Sequence, residues 1–377
     1  MAPTGTHDAF PFPFPEAPLL RVLDLEGRVL EGAPDPGLST EAKVAIHEAM
    51  VRARLVDEAL ERMQRQGRIG FHIGALGEEA AVIGSVAALA PEDWIFPCYR
   101  EWAGLLYRGF PLERFVDGML GNAGDPVKGR QMPAHVTGKA YRYASVSSPI
   151  GTQVPHAVGF AHALSLRRAK EVVAVYFGDG ATSSNDFHAG MNFAGVWKAP
   201  VLLLCRNNGF AISLRTEEQT ATKTIAEKAA AYGIHAIRCD GNDPLAVVVA
   251  VREARERALR GDGATLVDML TYRLGGHSTS DDPRVYRSDR ELESHRTEDP
   301  IPRFRKHLEL LGAMDEAKDR ALRARVEAEI KENVARAEAV PKPELSTLFE
   351  DVFEKPTAIL GAQAAECLRG PRPEGGR

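Results

Sequence analysis

Val172-Val173-Ala174-Val175-Tyr176-Phe177-Gly178-Asp179-Gly180-Ala181, answered further on by Val201-Leu202-Leu203-Leu204-Cys205-Arg206-Asn207-Asn208, is the sequence that decides the fold. Each stretch opens on a short continuous apolar run, the pattern of a strand buried on both faces of a parallel sheet. Between them, Asp186 to Trp197 carries apolar residues at helical spacing. The unit predicted is strand–helix–strand, with short oxygen-bearing side chains just past both strand ends.

Those side chains suit one kind of ligand. Gly178 and Gly180 let backbone N–H groups approach a diphosphate closely, and a helix beginning there favours anions. Asp179 offers a carboxylate, Asn208 a side-chain carbonyl and Phe210 a backbone oxygen. With phosphate oxygens and water they suffice for an octahedral magnesium site. Each motif alone is equally an ordinary turn. The chain carries its own control, because Gly261-Asp262-Gly263-Ala264 repeats the same letters. That copy follows helix-like Val251–Arg260 and precedes strand-like Thr265–Tyr272, with no Asn pair behind it, so it reads as a helix C-terminal stop.

Outward from this unit, Trp94-Ile95-Phe96, Ala236–Cys239 and Thr265–Tyr272 read as further strands. Ser39 or Thr40 caps a long helix through Arg65, ended by Gly67; Gly77-Glu78-Glu79-Ala80 opens another to Leu89, and Leu245–Leu259 is a third. The Gly178 turn, the Asn208 turn and the loop Gly275–Asp282 all follow predicted parallel strands, where open α/β sheets bind ligands. The expected class is α/β, a mostly parallel sheet flanked by helices over 39–302. A Pro-rich arm precedes it over 1–38, including the run Phe10–Pro15, which favours extended backbone and cannot form a core alone. The arm is either disordered or packed across a partner subunit. A charged helical region follows over 303–377, with Gly370–Arg377 expected to be disordered.

Composition removes several function classes. At 377 residues the chain has room for one large domain or two, and a net charge of −5 gives no basic surface for nucleic acid or an anionic membrane. No apolar run approaches the roughly 18–20 residues that span a bilayer. The first basic residue is Arg21, which argues against a secretory or transit segment. Cys98, Cys205, Cys239 and Cys367 show no paired spacing, so a reducing cytoplasm is expected. A nicotinamide-binding fingerprint is disfavoured, because Ser183 stands where its third glycine belongs.

Further motifs join the central one: Gly129-Arg130-Gln131-Met132-Pro133-Ala134-His135, Ser147-Ser148-Pro149-Ile150-Gly151-Thr152-Gln153, and Tyr272-Arg273 with His277-Ser278-Thr279-Ser280-Asp281-Asp282-Pro283. Together they resemble the alpha subunits of the decarboxylating component of branched-chain 2-oxo acid dehydrogenases, over roughly residues 40–350. The resemblance implies a thiamine diphosphate-binding fold of the diphosphate-binding type. It assigns the cofactor to Tyr99, Arg100, Ser148, Ile150, Gly178, Asp179, Gly180, Ala181, Arg206, Asn208 and His277. Magnesium falls to Asp179, Asn208 and Phe210, and a monovalent cation, potassium, to Ser147, Pro149, Thr152 and Gln153. Read without it, Ser147–Gln153 is a helix N-terminus with capping serines.

The same resemblance places Phe71 and His72 at the substrate, although His72 is equally a surface turn residue. His277 and Ser278 take catalytic places on a loop that is otherwise an ordinary solvent loop. It further implies a beta subunit in an α2β2 heterotetramer, since one α/β domain of this kind is present where the cofactor needs two. The acyl group passes to a lipoyl-bearing acyltransferase component. The expected activity is that of 3-methyl-2-oxobutanoate dehydrogenase (2-methylpropanoyl-transferring), acting on a small branched 2-oxo acid. The alternatives are the alpha subunit of a pyruvate or acetoin dehydrogenase, and a non-catalytic magnesium–phosphate-binding subunit. Three positions depart from the family pattern: Cys98 for a polar residue, Ser184-Asn185 for Glu-Gly, and Gly276 for His.

Overall fold

Four parallel strands carry the site. In the computed structural model, which describes residues 18–370, the Pro-rich run Phe10–Pro15 and all but the first residue of the tail Gly370–Arg377 lie outside the described residues. The strands are β1 (Leu19–Leu20), β2 (Trp94–Phe96), β3 (Val173–Gly178), β4 (Val201–Asn207), β5 (Phe210–Ala211), β6 (Leu214–Arg215), β7 (His235–Asp240) and β8 (Thr265–Leu270). Six of them form one sheet in the order β1-β7-β8-β4-β3-β2, every pairing parallel, while β5 and β6 make a small hairpin.

The helices are α1 (Thr40–Arg65), α2 (Glu79–Ala87), α3 (Trp102–Tyr107), α4 (Leu112–Leu120), α5 (Gln153–Leu166), α6 (Asn185–Val196), α7 (Thr216–Gln219), α8 (Pro244–Arg260), α9 (Asp289–Arg296), α10 (Pro300–Leu310), α11 (Glu316–Ala339) and α12 (Ala358–Arg369). Successive strand residues face opposite ways. Val173, Val175 and Phe177 therefore join a core with α5 and α6, while Ala174 and Tyr176 join a second core with α1, α2, α8, α10 and α11. Burying a side chain such as Phe177 contributes about 1.5–3 kcal/mol. With both faces covered, only the strand ends remain open to ligands.

Several local readings meet their structure closely. Ser39 caps α1 by accepting the Ala42 N–H. Gly261 ends α8 in the left-handed conformation, φ +86°, which makes the second Gly-Asp-Gly-Ala a helix stop.

Two readings need correcting. No helix begins at Gly178-Asp179-Gly180: Asp179–Ser183 is a 3₁₀ turn, and α6 starts only at Asn185, because Ser184 accepts the Phe187 N–H as its cap. The described part of the segment read as an arm is also packed into the domain. Its β1 pairs with β7, and Asp243 Oδ2 accepts the N–H groups of Val22 and Leu23 at 2.8 and 2.6 Å. Asp243 Oδ1 caps α8 at the same time, so one carboxylate fastens the entering chain to the sheet.

Candidate active site

Beyond the C-terminal ends of β2, β3, β4 and β8 lies a cavity of about 630 Å³. After β2 come Cys98, Tyr99 and Arg100; after β3, Gly178 to Ala181; on β4 and after it, Arg206, Asn208 and Phe210; after β8, Arg273 and His277. Ser148 and Ile150 enter from the segment before α5, and Phe71 from the turn after α1. Every residue expected at the cofactor is thus brought to one cavity.

Asp179 is 1% exposed, and its two oxygens differ. Oδ2 accepts from Thr216 Oγ1 at 2.8 Å and Gln219 Nε2 at 3.4 Å, whereas buried Oδ1 has no hydrogen-bond partner. Burial raises its pKa against the opposing Thr216 hydrogen bond. A buried, half-satisfied carboxylate is costly unless a cation completes it. Asn208 Oδ1 accepts the Phe210 N–H at 3.1 Å in an Asx turn, keeping a second lone pair. The backbone around Gly180 runs close under the β5 hairpin: a Cβ there would lie 2.6 Å from Ala211 Cβ. The donor set is a carboxylate, an amide oxygen and a backbone carbonyl, which fits magnesium carrying phosphate ligands.

Arg100 is buried, and its Nη1 donates to the Gly74 carbonyl while Nη2 donates to the His277 carbonyl at 2.6 Å. Nη2 also lies 3.1 Å from His277 Nδ1. Burial, then the guanidiniums of Arg100 and Arg273, push the His277 pKa down to about 4. The imidazole is neutral near pH 7, and because Nδ1 accepts from Arg100 its proton sits on Nε2. Arg206 lines the cavity but is tied to two acids, donating through Nε to Glu101 and through Nη1 to Glu78 at 2.8 Å.

Not every expected residue reaches the cavity. His72 turns away: its Nε2 is hydrogen-bonded to Asp57, and the residue is 1% exposed, which excludes both substrate contact in this conformation and a free surface turn. Ser278 lines a separate small cleft with His72, Asp57, Glu58 and Glu61. The segment expected to hold a monovalent cation is oxygen-rich: Ser147 Oγ and Thr152 Oγ1 are 2.7 Å apart, and Thr152 Oγ1 donates to the Pro149 carbonyl at 3.0 Å. Gln153 Nε2 donates to the Tyr176 carbonyl, leaving buried Oε1 without a partner.

A family model for the dehydrogenase E1 component matches residues 47–346. The chain belongs to that family. E1 membership implies thiamine diphosphate dependence. Among E1 relatives, the chain is 44% identical over 347 residues to 2-oxoisovalerate dehydrogenase subunit alpha 2, mitochondrial, of Arabidopsis thaliana, covering 92% of this chain and 74% of that one. The corresponding alpha subunit of Mus musculus is 42% identical over 353 residues, covering 93% and 80%, and that of Homo sapiens 42% over 353, covering 93% and 79%.

Two departures from the E1 pattern have structural reasons. Ser184 is the cap of α6 and also donates to the Ala181 carbonyl at 2.8 Å, so it braces the Asp179 turn. Cys98 is a buried, protonated thiol, its pKa pushed up to about 12 by burial and by Glu101. Several cavity residues escaped the sequence reading as site residues, among them Met132, His135 and Arg273. His135 is fixed at both ring nitrogens, Nδ1 donating to the Pro133 carbonyl at 3.1 Å and Nε2 hydrogen-bonded with the Ser148 hydroxyl. Its presence beside Met132 in a Met-Pro-Ala-His run was the one available signal.

Proposed function

We propose that this E1 chain is the alpha subunit of a branched-chain 2-oxo acid dehydrogenase, working with a beta subunit in an α2β2 assembly and passing its acyl product to a lipoyl-bearing acyltransferase. When bound, thiamine diphosphate supplies the carbon nucleophile and electron sink of the decarboxylation. Asp179, Asn208 and the Phe210 carbonyl would hold magnesium on its diphosphate, with Arg100 and the Nε2–H of His277 as further donors to phosphate oxygens. Ser147, Pro149, Thr152 and Gln153 would hold potassium.

The observation that carries this reading is the unpartnered Asp179 Oδ1 in a cavity also lined by Arg100, His277 and apolar side chains. Phe71, Ile73, Met132, Ile150 and Ile212 give an apolar lining suited to a branched acyl chain and to excluding water. Met132 and Ile150 remain 48% and 43% exposed, so the cavity is open on one side. That opening suits a second polypeptide supplying the carboxylate that activates the cofactor ring. A reducing compartment, the cytoplasm in this proposal, suits the four free cysteines, three of them buried.

Co-expression with a beta subunit and assay of the purified assembly against a panel of 2-oxo acids tests the proposal. The expected result is a higher kcat/KM for 3-methyl-2-oxobutanoate than for pyruvate, and no turnover by the alpha chain alone. Preference for pyruvate overturns the substrate class, and turnover by the alpha chain alone overturns the shared site.

A further inference from the structure

Glu78 stands just before α2, fully buried, and takes no direct place in the cavity lining. N–H and O–H donors converge on its carboxylate. Oε2 accepts from Arg206 Nη1 at 2.8 Å and lies 3.8 Å from Arg100 Nε; Oε1 accepts from Asn208 Nδ2 at 2.7 Å and Thr271 Oγ1 at 3.4 Å. A single carboxylate therefore touches or faces three residues of the cavity.

Its consequence for Asn208 is specific. An amide presents an oxygen at one end and an NH₂ at the other, and rotation by 180° exchanges them at little steric cost. Here the two ends meet opposite chemistries: Nδ2 meets the Glu78 carboxylate, and Oδ1 meets the Phe210 N–H at 3.1 Å. Rotation would set an oxygen against the carboxylate and an NH₂ against an N–H donor. We infer that Glu78 is a positioning residue, holding the Asn208 amide so that Oδ1 is the atom presented to a divalent cation. The inference rests on the magnesium reading above.

The backbone keeps Glu78 in that place. Gly77 has φ +91°, and a Cβ there would lie 2.4 Å from the Tyr272 carbonyl, so the chain before α2 is pressed against the segment after β8. Only glycine fits both the left-handed conformation and the close approach.

The test measures metal binding rather than turnover. Mn²⁺ is titrated into the assembled alpha–beta protein with thiamine diphosphate, free Mn²⁺ being read by electron paramagnetic resonance, for the wild type, Glu78→Gln, Asn208→Ala and the double variant. Glu78→Gln is expected to weaken Mn²⁺ binding about 10–100-fold, the range for partners that orient a metal ligand. In the Asn208→Ala background, the same change should alter binding by less than about threefold, since the residue it acts through is gone. If Glu78→Gln does not assemble, Glu78→Asp, which keeps the charge and withdraws it by one methylene, takes its place in the cycle. Fully additive effects, or an unchanged affinity in the Glu78 variant while Asn208→Ala binds weakly, overturn the positioning role alone. An unchanged affinity in Asn208→Ala overturns the magnesium reading itself.

Discussion

Arg100 and His277 are 177 positions apart in sequence, and Arg100 Nη2 donates to the His277 carbonyl at 2.6 Å while lying 3.1 Å from its Nδ1. The same guanidinium reaches the Gly74 carbonyl through Nη1. One planar fork thus ties the segment after β2 to the turn after α1 and to the loop after β8.

Arg100→Lys should loosen that wall. A lysine ammonium keeps the charge but cannot span both carbonyls. Loss of one charge-assisted hydrogen bond, about 1.5–3 kcal/mol, corresponds to a ten- to hundredfold loss of thiamine diphosphate affinity. Calorimetry on the assembled protein measures this. Limited proteolysis should cut within 275–282 faster than in the wild type, and equal cutting rates together with equal affinity would refute the role.

Asp179→Asn should move two readouts in opposite directions. The buried carboxylate, raised in pKa and half unpartnered, costs the cofactor-free fold more than a neutral amide would. Cofactor-free stability in urea should therefore hold or rise, while Mg²⁺-dependent thiamine diphosphate binding falls at least about tenfold. A variant that loses stability and keeps binding contradicts the metal assignment.

Thr152→Val removes a hydroxyl that donates to the Pro149 carbonyl and lies 2.7 Å from Ser147 Oγ. If these oxygens hold potassium, KCl should raise the melting temperature of the wild-type assembly above its value in equimolar NaCl. The variant should show no difference between the two salts. Equal melting temperatures for the wild type in both would remove the monovalent site.

Acid should weaken the fold through His47. Its ring is buried between α1 and the Asp319–Arg323 and Arg305 groups of α11 and α10, with both nitrogens unpartnered and Asp319 Oδ1 at 3.8 Å from Nε2. Burial lowers its pKa from 6.5 to about 4, against the pull of Asp319. A depressed folded-state pKa means that its stabilising effect is complete above 6.5 and is lost as the pH falls from there through 4. The linkage relation gives about 2 kcal/mol between pH 7 and pH 5. Urea midpoints of wild type and His47→Gln at the two pH values test this; the variant should lose less stability on acidification.

Much of the site was legible because local chemistry announces it. Asp179 and Asn208 stand just past the two central strands, because β3 runs on from its apolar stretch to Gly178 and β4 from its own to Asn207. Tyr99, Arg100, Ser148, Ile150 and His277 were found through motifs and do meet in the cavity. Glu78 stayed hidden, because an acid at a helix start reads as a dipole complement. Its contacts with Arg206 and Asn208 span 128 and 130 residues, and no local pattern encodes a partner at that distance. His72 failed for the same reason in reverse: its neighbour Phe71 lines the cavity, but Asp57 on α1 draws the imidazole the other way.

The sequence by itself determined the parallel strands apart from β1, the helices α1, α2, α6 and α8, and the placing of oxygen ligands at strand ends, since hydrophobic period and turn chemistry act over a few residues. Only the tertiary structure decided which polar atoms are left without partners. Asp179 Oδ1 is unpaired because Thr216 and Gln219 take only its other oxygen, and the Asn208 amide meets the Phe210 N–H with its oxygen and Glu78 with its NH₂. Those outcomes depend on burial and on donors arriving from distant segments. Satisfaction of a buried polar group is a property of its whole surroundings, and the surroundings exist only once the chain has folded.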